Sequence, residues 1–223
     1  MMHYLIPFLS VLIGFAVAFY IQPDNKRNLK LLLAFSGSFL LSMTVVHLLP
    51  EVYVGESNAI GLCIMFGILF QIILEFFSKG AEHGHVHIHG PIKQIPWFLF
   101  ISLCIHAFLE GLPVANHQEL AIGIAIHHLP IAIILTTFLL QSHLNKSAIL
   151  FFMVTFGLMT PVGTLLANEF VFLQDYKNEI TAVVVGILFH ISSTIIFESS
   201  EGHKFNIAKI SMIILGFALA FFV

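Results

Sequence analysis

Long apolar runs alternate with short polar breaks along the whole chain, and the runs have the length of membrane-spanning helices. A helix that crosses a bilayer needs about 20 mostly apolar residues. Eight such runs fit without overlap, at roughly 4–22, 29–50, 58–77, 95–115, 119–141, 147–168, 179–199 and 205–223. The breaks read QPDNKRN, EVYVGESN, SKGAEHGHVHIHGPIKQ, NHQE, SHLNK, LQDYKNE and ESSEGHK. Only the third is longer than a connection requires, and no stretch has the composition of a soluble domain. The pattern predicts an all-α polytopic membrane protein of eight transmembrane helices. It forms one domain over residues 1–223, with a His-rich loop at about 78–94. Spans 4 and 5 are the most interrupted, by Glu110, Pro113 and Pro130.

Composition narrows the function classes. Hydrophobic residues make up 58% of the 223 and charged residues 9%, against about 25% charged in a soluble domain. A soluble enzyme and a disordered tail are excluded. A net charge of −3 supplies no basic patch for phosphates, so nucleic acid is not an expected partner. Cys63 and Cys104 lie inside apolar runs, unlike the loop cysteines of a disulfide scaffold. The first run has no Lys or Arg before it and no small-residue cleavage site after it, so it reads as a span rather than a signal peptide.

Positive charges set the expected orientation, because cytoplasmic loops collect Lys and Arg. Breaks 1, 3, 5 and 7, with the span ends beside them, hold Lys26, Arg27, Lys30, Lys79, Lys93, Lys146, Lys204 and Lys209. Breaks 2, 4 and 6 hold Lys177 alone. Both termini are therefore expected to be extracytoplasmic and the His-rich loop cytoplasmic. The asymmetry, short loops and compact length favour a bacterial inner membrane as the location.

Ionisable side chains inside membrane helices cost several kcal/mol unless paired, hydrated or bound to a ligand. Span 4 holds His106 and Glu110, whose i, i+4 spacing puts imidazole and carboxylate on one helical face. Span 5 holds His127 and His128; adjacent helical residues diverge by about 100°, so one of the two is expected to share a ligand cluster. Counted from the outer ends of their spans, His106 and His127 both lie ~12–14 Å deep, near the bilayer midplane. Pro113 and Pro130 follow Glu110 and His127 by three residues and loosen each helix beside the cluster. His106, Glu110 and His127 thus read as a cation site, against the plainer alternative of a His–Glu packing pair. His190 in span 7 and His47 in span 2 are each open to three readings: a further ligand, a way-station, or a hydrogen-bonded structural histidine. The loop His83, His85, His87 and His89 alternates four imidazoles, the composition of a metal-binding tract. Neutral imidazole suits Zn, Cu, Fe and Ni rather than Mg or Ca, and zinc is the first expectation. Imidazole ligates only when neutral, so binding should weaken as pH falls through about 6.5.

These residues resemble the Zrt/Irt-like (ZIP) divalent-metal transporters. The likeness rests on the eight-span plan, the His-rich loop after span 3, HLLPE in span 2, HxxxEG from His106 to Gly111, and HxxP from His127 to Pro130. PVG in span 6 and His190 in span 7 stand where that family carries EPxG and HE motifs. The resemblance implies a transport path enclosed by spans 2, 4, 5 and 7. It implies ligands at His106, Glu110, His127 and His128, and an elevator-like mechanism, often in a homodimer. Ala107, Ile131, Thr160 and Ile191 replace polar or acidic residues typical of the family. Their loss predicts a single-metal site, with His128 compensating for a missing carboxylate.

The leading expectation is therefore a transporter rather than an enzyme. It would move Zn²⁺, or Fe²⁺, Mn²⁺ or Cd²⁺, toward the cytoplasm. Its expected partners are the divalent ion, the lipid bilayer and a second copy of the chain. The rivals are a membrane-embedded zinc-dependent hydrolase, with Glu110 as base, and a non-transporting metal sensor.

Overall fold

The structure, a computed structural model, describes residues 4–21, 26–54, 58–78, 95–198 and 206–222. Among the described residues, eight helices of 14 residues or more follow the eight apolar runs. They are α1 (Leu5–Ile21), α2 (Lys26–Met43), α3 (Asn58–Ser78), α4 (Trp97–Val114), α5 (Leu120–Leu140), α6 (Lys146–Glu169), α7 (Lys177–Glu198) and α8 (Ile207–Ala220). Helix α2 continues through a π-helical segment, Thr44–Leu48, into a last turn, Leu49–Val52. A five-residue helical turn, Val171–Asp175, joins α6 to α7. Six of the eight, α2 to α7, are long and apolar enough to cross a membrane. Helices α1 and α8 are apolar but shorter, at 17 and 14 residues.

Local sequence accounts for where several helices start and bend. Asn145 and Asn206 cap α6 and α8, their side-chain oxygens accepting from the backbone N–H of Ala148 and Lys209 at 2.7 and 2.8 Å. Each satisfies one of the donors that a helix start leaves open. The π-helical segment of α2 ends at Leu48, two residues before Pro50, whose ring would otherwise meet the carbonyl four residues earlier. Widening the turn relieves that conflict.

Packing divides the helices into two groups of four. In one, α1 lies against α5 and α6, and α4 packs on α6. In the other, α3 and α2 lie against α7, and α8 packs on α2. The seam between the groups is made by α2 against α5, with α3 and α7 against α4. The first group has its core in Leu103, Ala107, Leu135, Phe152 and Phe156. Outward faces stay apolar: Leu62, Met65, Phe66, Leu69 and Phe76 of α3 are all more than half exposed. Such a surface suits lipid rather than water.

Candidate metal site

Helices α4 and α5 bring three potential ligands together in the interior. One ligand atom each from His106, Glu110 and His127 lies within 4.8 Å of the others. All three side chains are buried, and Glu110 is fully so. His106 and Glu110 are one turn apart on α4, with Nε2 3.1 Å from Oε1. The ring of His127 stands nearly perpendicular to that of His106, their centroids 6.4 Å apart. Tetrahedral zinc with bonds of ~2.0–2.2 Å holds its ligand atoms about 3.3 Å apart. Small rotations of these side chains would close the set around one ion. Among the described residues, no other three His, Cys, Asp or Glu side chains come this close.

The two adjacent histidines of α5 take different places. His127 joins the cluster, whereas His128 donates from Nε2 to the second carboxylate oxygen of Glu110 at 3.0 Å. The His128 ring also lies 5.2 Å from that of Phe156 on α6. Glu110 is thus held from both oxygens by imidazoles, which offsets the cost of burying a carboxylate.

The surrounding backbone is fitted closely. A side chain at Gly111 would collide with the Thr160 carbonyl, and one at Gly163 with the Phe108 carbonyl. Only glycine lets α4 and α6 approach this far next to Glu110. Thr164 fixes the contact, donating to the carbonyls of Gly111 and Thr160 at 2.8 and 3.0 Å. Pro113 and Pro130 cannot donate to the carbonyls of Leu109 and Ile126, which adjoin Glu110 and His127 in sequence. On the far side of α5, Ser10 of α1 donates to the Ala125 carbonyl.

His190 and His47 stay apart from this cluster. His190 is hydrogen-bonded to Glu75 of α3, and His47, in the π-helical segment, has Nε2 3.4 Å from the Ala220 carbonyl. The loop histidines His83, His85, His87 and His89 lie outside the described residues.

Two arrangements carry little signal in the sequence. His117, in the turn between α4 and α5, has Nδ1 3.3 Å from a Glu51 oxygen and 3.6 Å from one of Glu119. The NHQE break places His117 near Glu119, but nothing local points to Glu51. The Glu75–His190 pair joins residues 115 positions apart. The four substituted positions are all buried. Ile131 and Ile191 share one apolar cluster with Leu33, Ile187 and Ile195, and the Thr160 hydroxyl has no hydrogen-bond partner among the described residues.

The family model described as ZIP zinc transporter matches residues 82–223. The chain is also similar to zinc transporter ZIP1 of Danio rerio, with 29% identity over 89 residues. That match covers 37% of this chain and 30% of the relative's length.

Proposed function

This chain belongs to the ZIP zinc transporter family, and from that premise we propose that it carries a divalent transition metal, Zn²⁺ first, through the membrane toward the cytoplasm. The observation that carries the reading is the convergence of His106, Glu110 and His127 within 4.8 Å in the interior. Two imidazoles and a carboxylate suit a borderline ion such as zinc, and also Fe²⁺, Mn²⁺ or Cd²⁺. Eight spanning helices, α1 to α8, form one domain with both termini outside, in a bacterial inner membrane. That orientation follows the distribution of Lys and Arg.

Each residue has a definite part in the proposed cycle. His106 and His127 replace water on the incoming ion with nitrogen ligands, and Glu110 neutralises one of its two charges. His128 positions Glu110 through its far oxygen. A negative interior favours inward movement of two charges by about 4.6 kcal/mol per 100 mV. All three ligands sit on α4 and α5, within one packing group. An elevator-like slide of α1, α4, α5 and α6 against α2, α3, α7 and α8 would therefore carry the ligand set across as a unit. The loop histidines His83, His85, His87 and His89 would take up the released ion, and His190 with Glu75 lies toward that side as a way-station. The working unit is a homodimer.

Zinc uptake into proteoliposomes tests the reading, with the native chain beside His106→Ala and His127→Ala. Uptake lost in both folded variants supports a single site. Robust uptake in either variant would reject these ligands. Failure of the native chain with zinc, iron, manganese and cadmium would reject transport. Metal binding without flux would then favour a sensor, and turnover of a lipid substrate a hydrolase.

A further inference from the structure

The turn from α4 to α5 carries a contact that the metal cluster does not use. His117 is buried there, with Nδ1 3.3 Å from a Glu51 oxygen and 3.6 Å from a Glu119 oxygen. Ionised carboxylates only accept hydrogen bonds, so Nδ1 carries the hydrogen that the two share. The two acids belong to different groups of helices. Glu119 directly precedes α5, in the packing group that holds the metal cluster, whereas Glu51 stands in the last turn of α2, in the other group. The Glu51–His117 pair therefore crosses the seam. By contrast, the Glu110–His128 and Thr164–Gly111 bonds stay inside the first group, and Glu75–His190 stays inside the second.

His117 is firmly placed. Its backbone N–H donates to the Pro113 carbonyl near the end of α4, at 2.9 Å. Its own carbonyl accepts from the N–H of Leu120, the first residue of α5, at 3.1 Å. A pull on the imidazole is thus passed to both helices that carry the ligands. Around this contact the seam is apolar: Val114, Leu120 and Ile124 pack with Leu48 of α2 and with Val184 and Leu188 of α7. Apolar burial is non-directional, so such a surface accepts small sliding steps. A hydrogen bond to a carboxylate is directional and short in range. It therefore favours one relative position of the two groups.

We propose that Glu51 and His117 form a latch between the two helix groups, closed in the arrangement described and broken in each transport cycle. The latch rests on the sliding motion proposed above and adds the contact that resists it. Glu51 and His117 are positioning residues, which act through the α4–α5 turn rather than by holding the ion. Glu119 is a built-in control. It faces the same nitrogen, but it belongs to the same group as His117 and moves with it.

Two measurements on the full chain test this. Hydrogen–deuterium exchange of residues 49–54 and 115–119 reads the contact without any need of flux. The Glu51 side chain is more than half exposed, so Glu51→Gln is expected to keep the fold. It should exchange roughly twofold to fivefold faster in both segments, the range for loss of a partly exposed ion pair. Glu119→Gln should exchange as the native chain does. Equal effects of the two variants, or no effect of Glu51→Gln, would overturn the latch. The second measurement is zinc uptake into proteoliposomes by a chain with Glu51→Cys and His117→Cys, its Cys63 and Cys104 changed to Ala. Joining the two new thiols with a short bismaleimide should abolish uptake while zinc binding is kept. The same reagent should leave each single-cysteine chain active. Uptake by the joined chain at the unjoined rate would overturn the proposal. If the native chain takes up no zinc, the transport reading fails and the latch loses its place in a cycle, while exchange still decides whether the contact holds the groups together.

Discussion

Glu110 of α4 and His128 of α5 are joined by a 3.0 Å hydrogen bond between a carboxylate oxygen and Nε2, with both side chains buried. The other oxygen of Glu110 faces His106, so this bond fixes which oxygen is presented to the cluster. Under the proposed function, His128 is then a positioning residue. Groups that orient a metal ligand typically change affinity by about 10–100-fold when lost. His128→Ala is expected to weaken zinc binding by that factor, measured by competition with a chelating dye. His128→Gln keeps a donor and should recover part of the loss. Equal affinities in both variants and the native chain would remove His128 from the site.

Glu110→Gln separates charge from shape. The amide fills the same space but brings no negative charge to neutralise the ion. Zinc uptake should fall by more than the ~10–100-fold expected of an orienting residue, while the melting temperature stays near that of the native chain. Unfolding of the variant, in place of lost uptake, would mean that Glu110 serves packing alone.

Gly111 tests how tightly the site depends on the α4–α6 contact. A Cβ there meets the Thr160 carbonyl, and backbone has little room to retreat. Overpacking of this kind costs about 1–3 kcal/mol. Gly111→Ala should lower the melting temperature and, by shifting α4, reduce zinc affinity together with it. Gly61, where an added Cβ would approach only the Tyr53 hydroxyl, at 3.7 Å, is the control expected to show neither effect.

Much of this arrangement is legible in the sequence because it is local. Helix positions follow the apolar runs, and the approach of His106 to Glu110 follows from four-residue spacing. The nearness of α4 and α5 follows from the short break between them. What the sequence hides is helix register. His128 meets Glu110 rather than lipid because α5 is rotated to do so, and Glu75 meets His190 because α3 and α7 lie side by side. The same holds for His117 and Glu51, which approach only when the end of α2 meets the α4–α5 turn. Local patterns say that a helix exists and which residues share a face, whereas small residues such as Gly111 and Gly163 set its depth against a neighbour.

Gln71 of α3 is fully buried, and neither end of its amide has a hydrogen-bond partner among the described residues. It lies one turn from Glu75, but its own polar atoms gain nothing visible from the fold. A buried polar group left without partners costs about 1–3 kcal/mol. Gln71→Leu, similar in size and apolar, is expected to raise the melting temperature without lowering zinc uptake. A drop in uptake at unchanged stability would show instead that the amide takes part in the path of the ion.

The substituted positions make a prediction about stoichiometry. A second, bridged ion would need acidic groups near the first, and the chain places Ile131 and Ile191 together in an apolar cluster at two of those positions. Hydrocarbon there neither ligates an ion nor tolerates its charge without large cost. The loop histidines would confuse a count, so it is best made on the full chain with His83, His85, His87 and His89 changed to Ser. That chain should bind one zinc ion per copy by elemental analysis after dialysis, and none once His106→Ala is added. Two ions per copy would mean that residues other than the missing carboxylates complete a second site. Retention of one ion after His106→Ala would place the ion outside the α4–α5 cluster.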